Sequence, residues 1–231
     1  MPNQRESELV RLYPSVFNLR RYYLVQLRKQ INSVIHLFIK DDQKVKLLDY
    51  GCGNTPYRSL FQSKVKEYHA ADIEKNNHVD ILINIDGQIP VNDESYGFVL
   101  STQVLEHVEN VNFYLSESNR ILDKNGLLIL TTHGYWIFHP DPNDFWRWTS
   151  QGLKKIINES GFEIIYFKGI LGRSAMGIQL LQDGFIFKLP KFILPVFALF
   201  MQSLVWLFDK TTTQATRDKD ACTFIVVARK I

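Results

Sequence analysis

Apolar positions along the chain follow two periods. Between Glu8 and Lys40, Leu19, Tyr22, Tyr23, Leu27, Ile31, Val34, Ile35 and Phe38 recur at spacings of three and four, with Arg20, Arg21, Arg28 and Lys29 between them. That spacing predicts an amphipathic helix, and Pro14 divides a short first piece from it. Further on, short aliphatic runs alternate with helical patterns. KVKLLDY (44–50), VKEYHAADI (65–73), HVDILINID (78–86), YGFVLSTQ (96–103), GLLILTTH (126–133), FEIIYFKGI (162–170) and CTFIVVARKI (222–231) read as strands. Thr55-Pro56 opens a helix, as an N-cap followed by proline at the first helical position. NVNFYLSESNRILDKN (110–125) is a helix stopped by Gly126, and SQGLKKIINESG (150–161) is one capped by Ser150 and stopped by Gly161.

Alternation of this kind predicts an α/β domain whose sheet is mostly parallel and covered on both faces. Ligands in such sheets bind beyond the carboxyl ends of the strands. Asp49, Asp72, Asp86 and Gln103 each stand at or just past the end of a different predicted strand.

Composition narrows the class without changing it. The 231 residues, 45% of them hydrophobic, can bury one core. A net charge of +3 is too weak to argue for a nucleic-acid partner. Two cysteines, Cys52 and Cys222, do not make a disulfide framework, and MPNQRESELVRLYPS lacks the apolar run of a signal peptide. A cytoplasmic location is therefore expected. One segment complicates a simple soluble chain. From about Leu171 to Ala221 the sequence departs from a short hairpin and contains FIFKLPKFILPVFALFMQSLVWLFDK, with Lys188 and Lys191 at one end and Lys210 at the other. Its apolar run falls short of the roughly 20 residues that span a bilayer. A peripheral contact at the inner membrane face through 185–209, a re-entrant hairpin, a homodimer surface, or a cap on the N-terminal helix are the uses it suggests.

The stretch LLDYGCGNTPY (47–57) carries the candidate chemistry. Gly51 and Gly53 let the backbone turn and approach a ligand closely. A dinucleotide fingerprint needs a third glycine where Pro56 stands, which disfavours a pyrophosphate. Asp72 follows at the spacing of a carboxylate that grips a ribose diol, and Asp49 can face a cationic amino-acid end. A ligand with ribose, adenine and ammonium but no phosphate is S-adenosylmethionine.

On these residues the chain resembles the class I SAM-dependent methyltransferases of the methyltransferase-11-like group, over about Lys46–Gly169 and the last strand. LLDYGCG resembles their first motif, ADIEKN the acidic end of the second strand, and NIDGQIPVNDESYGFVLSTQVLEHV the third and fourth strands with their loop. SESNRILDKNGLLILTTH resembles the following helix and strand, with Lys124-Asn125-Gly126 where the family usually has Pro-Gly-Gly. The resemblance implies a Rossmann-like, seven-stranded, mostly parallel sheet whose last strand is antiparallel, the last two strands pairing at one edge. With the length and pattern of the rest, the chain is expected to be one domain (1–231): a helical cap over 1–40, a SAM-binding core over 41–170, a helical insertion over 171–221 and a last strand over 222–231. It places Gly51 and Gly53 against the amino-acid part of SAM, Asp72 on the ribose, Asp86 and Gly87 near the adenine, and Gln103 beside the methionine. Cys52 and Ile73, with Asp49, complete the candidate cofactor set, and Glu106 and His107 line the floor. HPDPNDFWRWTSQGL (139–153) is also similar to a segment of methyltransferases encoded with bacterial surface-polysaccharide genes.

Methyl transfer to a hydroxyl needs the acceptor placed and its proton removed. His139 is the first candidate base, with His107 and Asp144 behind it. His133, Trp146, Arg147 and Trp148 are candidates for the acceptor, since flat aromatic faces suit sugar rings and guanidinium suits an anion. The spacing of His133, His139, Asp141 and Asp144 matches no tight ligand pattern, so no metal is expected. The acceptor expected is a sugar or lipid-linked glycan. A lipophilic metabolite such as a quinone precursor, or a SAM-binding subunit without turnover, is the alternative.

Overall fold

The computed structural model describes residues 8–40 and 45–231. Residues 1–7 of the N-terminal stretch and Lys44 of the first predicted strand lie outside that range. Two helices come first, α1 (Glu8–Leu12) and α2 (Arg21–Phe38), divided at Pro14 as the pattern predicts. The apolar face of α2 buries Tyr23, Leu24, Leu27, Ile31, Val34 and Ile35. Then follow β1 (Lys46–Tyr50), α3 (Arg58–Phe61), β2 (Glu67–Asp72), β3 (Ile81–Leu82), β4 (Tyr96–Thr102), α4 (Val111–Ile121), β5 (Leu122–His133), α5 (Ser150–Glu159) and β6 (Phe162–Gly172). The insertion supplies α6 (Arg173–Phe185), α7 (Leu194–Asp209) and α8 (Gln214–Arg217) before β7 (Ala221–Lys230).

The seven strands form one sheet in the order β3-β2-β1-β4-β5-β7-β6. β1 to β5 pair in parallel, and β7 inserts antiparallel between β5 and β6, leaving β6 at the edge. This is a Rossmann-like, mostly parallel sheet whose last strand is antiparallel, as expected. Strands β1, β4 and β7 are buried on both faces, as helices on each side require. One core holds α2 with Leu47, Phe98, Ile129 and Ile225, and the other holds α4 and α5 residues with Leu48, Val99, Leu128 and Val226. Neighbouring residues of each strand thus point to opposite cores.

Four local readings change. Thr55 does not cap a helix. It sits at φ 49 and its carbonyl accepts from Arg58 N, so Cys52–Tyr57 is a run of turns and α3 begins two residues later than predicted from Pro56. The predicted third strand shrinks to Ile81–Leu82, because Asn84 to Gln88 closes on itself through the Asn84 N–H to Gln88 carbonyl bond. Helix α4 ends at Ile121, before Gly126, since Leu122 already pairs with Tyr96 in the sheet. The cap of α5 is Thr149, whose Oγ1 accepts from Gly152 N at 3.1 Å, in place of Ser150. Gly161 closes α5 at φ 81 as expected.

Candidate active site

The carboxyl ends of β1, β2 and β4 surround a cavity of about 550 Å³, inside the roughly 300–1,000 Å³ range of small-molecule sites. Its lining includes Gly51, Cys52, Gly53, Asp72, Ile73, Asp86, Gly87 and Gln103. Of the nine cofactor candidates only Asp49 stands behind the wall.

The loop after β1 explains its glycines. Gly51 lies at φ 79, and its N–H and that of Cys52 both donate to Ala71 O at 2.8 and 3.0 Å. A Cβ on Gly51 would meet both Val104 Cγ atoms at 2.7 Å, so a side chain there is excluded by strain and by space. Gly53, at φ 53, donates from its N–H to Asp72 Oδ2 at 2.8 Å. The Asp72 carboxylate therefore sits directly across the loop, and Oδ1 accepts from Glu74 N at 3.2 Å. Asp86 on the short β3 loop is exposed at the rim.

Asp49 has another setting. It is 1% exposed, accepts a short hydrogen bond from Tyr68 Oη, and leaves Oδ1 buried with no hydrogen-bond partner. Burial pushes its carboxyl up to about 7, against the hydroxyl of Tyr68, with the Asp72 charge adding to the rise.

Gln103, at φ 57 just past β4, is a non-glycine residue held in the left-handed region. Its Nε2 donates to Thr131 Oγ1 at 3.0 Å and its Oε1 accepts from Tyr23 Oη at 2.9 Å. The N-terminal helix α2 is thus wired to the cavity wall.

The base candidates separate clearly. His107 lines the cavity, and its Nδ1 faces the Asn143 carbonyl, which makes Nδ1 the donor and leaves Nε2 as an acceptor. His139 packs its ring on His107 at 5.0 Å, with Nδ1 3.3 Å from Ile137 O. Burial, then the His107 charge, holds its imidazolium below its ordinary range. Asp144 is committed elsewhere. Both its oxygens take Arg147 nitrogens at 2.6 Å, and Oδ2 also accepts from His139 N. Burial opposes its charge, but these donors hold the carboxyl below its usual range.

The acceptor candidates are mostly structural in this geometry. Arg147, exposed, spends its guanidinium on Asp144, Trp136 O and Ile137 O. Trp146 Nε1 donates to Val108 O at 2.7 Å, and Trp148 is half-buried against the core and stacked on Trp146. His133 is 2% exposed, stacked on Trp136 at 4.4 Å. The loop residues that reach the cavity are Asp141, Pro142, Asn143 and Phe145. Phe145 is placed there because its N–H and that of Trp146 both donate to Glu106 O. Sequence reasoning also missed Tyr50, Phe113 and Asn110 on the wall. Nothing in spacing marked them, although Tyr50 borders the glycine loop in sequence.

The insertion covers α2. Gln179, Gln182 and Gln202 all donate from Nε2 to Leu19 O, at 3.2, 2.9 and 2.8 Å, and Tyr22 Oη donates to Asp209 at 3.0 Å. Yet Phe187, Phe192, Val196 and Phe200 on its other side are exposed, from 60% to 89%. Among the described residues, no helix is long and apolar enough to cross a membrane.

Comparisons with known proteins place the fold in a family. Residues 23–166, more than half of the chain, match the methyltransferase domain family. The ubiquinone biosynthesis O-methyltransferase of Pelagibacter ubique is 27% identical over 106 residues, 39% of this chain and 42% of that protein, so the chain matches less than half the length of this relative. Two solved structures share the fold. The [4+2]-cyclase SpnF has a TM-score of 0.56 at 17% identity, over 89% of this chain and 81% of its own. Phosphoethanolamine N-methyltransferase 2 of Haemonchus contortus, in complex with S-adenosyl-L-methionine, has 0.53 at 15% identity, over 100% of this chain and 61% of its own. The chain belongs to the methyltransferase domain family.

Proposed function

We propose that this methyltransferase transfers the methyl group to a hydroxyl of a sugar or lipid-linked glycan. The observation that carries the hydroxyl acceptor is His107, a cavity-wall imidazole whose Nδ1 is fixed by Asn143 and whose Nε2 is left to accept a proton. SAM supplies a methyl on an electrophilic sulfonium. The chain's own tasks are then placement and proton removal. Gly51, Cys52 and Gly53 bring backbone against the amino-acid end of the cofactor. Asp72 and Ile73 hold the ribose, Asp86 and Gly87 border the adenine, and Gln103 stands beside the methionine. His107 takes the base role first assigned to His139, because His107 lines the cavity and Asp144 is held by Arg147. Phe145 and Phe113 offer apolar faces to the acceptor.

The lipid-linked part of the reading rests on the insertion. Its exposed aromatics beside Lys188 and Lys191 fit a face that meets an anionic membrane, where a lipid-linked acceptor would be found. A homodimer through the same face is the competing occupant.

A second reading has its own support. The matching relative in Pelagibacter ubique acts in ubiquinone biosynthesis, which favours a quinone precursor as the acceptor. A panel of nucleotide-sugars, lipid-linked sugars and quinone precursors decides between them through S-adenosylhomocysteine formation. The proposal predicts turnover on a sugar hydroxyl and its loss, about 100-fold or more, in His107→Ala. Turnover confined to quinone precursors replaces it with the second reading. A folded, SAM-binding protein with no turnover on any of them favours a binding subunit.

A further inference from the structure

A chain of hydrogen bonds fixes the tautomer of a buried histidine. Gln103 Nε2 donates to Thr131 Oγ1, which turns Oε1 toward Tyr23, and the Tyr23 hydroxyl donates to it at 2.9 Å. The Thr223 hydroxyl in turn donates to the Tyr23 oxygen at 3.2 Å. Thr223 has then used its single proton, so the contact between His133 Nδ1 and Thr223 Oγ1, also 3.2 Å, requires the proton to be on Nδ1. A neutral His133 therefore presents a lone pair at Nε2. That lone pair faces Glu106 Oε1 at 3.2 Å.

Two acceptors thus face each other in the interior. Glu106 is 0% exposed and His133 is 2% exposed. Glu106 Oε2 is satisfied by the Thr132 hydroxyl at 2.8 Å, whereas Oε1 is buried with no hydrogen-bond partner. A buried carboxylate oxygen in this position needs a positive partner between it and the imidazole. His139 closes the group: one potential ligand atom from each of Glu106, His133 and His139 lies within 4.8 Å of the others.

We propose that Glu106, His133 and His139 form a binding site for a divalent first-row transition metal ion such as zinc or cobalt. Two ligands about 2.1 Å from one tetrahedral ion lie about 3.4 Å apart, close to the separation of Glu106 and His133. Each inner ligand also has the outer support that metal sites use: Thr223 on the far nitrogen of His133 and Thr132 on the far oxygen of Glu106. Two imidazoles and one carboxylate suit a transition ion better than magnesium or calcium, which prefer oxygen alone. The His139 side chain, 32% exposed, gives the ion a way in. Three protein ligands leave at least one coordination position for water. The residue that completes the set, Glu106, comes from the turn after β4, which is why the spacing of the loop histidines and aspartates alone pointed away from a metal.

The test uses the whole chain without a histidine tag, freed of metal by a chelator, and titrated with cobalt or zinc alone. The proposal predicts one equivalent bound, cobalt absorption bands of a four- or five-coordinate site, a higher melting temperature, and no displacement by magnesium. His139→Ala, at a partly exposed position, and Glu106→Gln, which keeps the shape, should each weaken binding by at least about 100-fold. A folded wild-type protein that takes up neither metal at millimolar concentration overturns the site and leaves a proton alone between Glu106 and His133. Binding of equal strength in wild type and both variants overturns it as well, by placing the metal elsewhere.

Discussion

Tyr23, on the N-terminal helix, donates its hydroxyl proton to Gln103 Oε1 on the wall of the cavity, across 80 positions of sequence. The bond holds a side chain whose backbone is already in the left-handed region. Tyr23→Phe leaves Gln103 Oε1 without this donor and the Thr223 hydroxyl without its acceptor. The expected cost is about 1–2 kcal/mol of stability, or roughly 2–8 °C in melting temperature for a chain of this size. A weaker grip on SAM should accompany it. Thermal melts and calorimetry on the same preparation check both, and an unchanged melt would mean that α2 is not coupled to Gln103.

The glycine loop gives a sharper prediction. Gly51→Ala forces a Cβ to 2.7 Å from Val104 at φ 79, which either shifts β4's end or unwinds the turn. The strain is on the order of 1–3 kcal/mol. SAM affinity should fall by at least about 10-fold while the far-ultraviolet spectrum is kept. Alanine tolerated with full affinity would show that the loop does not approach the ligand.

Asp49 predicts a dependence on pH. Its folded carboxyl is raised to about 7 by burial, well above its unfolded value of about 3.9. Between those values the folded state holds a proton that the unfolded state has lost, so stability falls as pH rises from about 4 to about 7, at up to about 1.4 kcal/mol per pH unit. Above 7 the contribution is constant. Asp49→Asn should flatten this part of the curve, and urea denaturation from pH 4.5 to 8 measures it. A wild-type curve that rises through this window while the mutant stays flat contradicts the assignment.

The insertion predicts behaviour at a surface. Phe192→Glu with Phe200→Glu changes two exposed positions and none of the glutamines that hold Leu19. The pair should abolish flotation with anionic liposomes and leave the melting temperature within a degree or two. Wild-type protein that stays at the bottom of the gradient at low salt sinks the membrane reading, and a wild-type dimer split by the same pair would assign the face to a second copy.

Much of this was legible in the chain because period and punctuation are local. The alternation of strands and helices, the division at Pro14 and the stop at Gly161 all follow from side-chain pattern and backbone preference. The cavity wall was legible because strand ends converge on one sheet edge by topology, which brought Asp72, Asp86 and Gln103 together. The acceptor side was not. Arg147 looked like an anion binder, but Asp144, three residues away, takes a bond from each terminal guanidinium nitrogen and backbone carbonyls take the rest. Asp49 looked like a ligand contact, but the side chain that meets it, Tyr68, is on the neighbouring strand. His133 and Glu106 carried no shared spacing, since their meeting depends on β5 lying beside β4. Pairings that arise only from register and packing leave no trace in spacing.

The central claim is that the cavity between β1, β2 and β4 holds SAM through the Asp72 carboxylate. Isothermal titration of SAM into folded wild-type and Asp72→Ala protein tests it most directly. Loss of a charge-assisted contact to the ribose should weaken binding by about 1.5–3 kcal/mol, roughly 10- to 150-fold. Equal affinities in the two proteins would contradict the account.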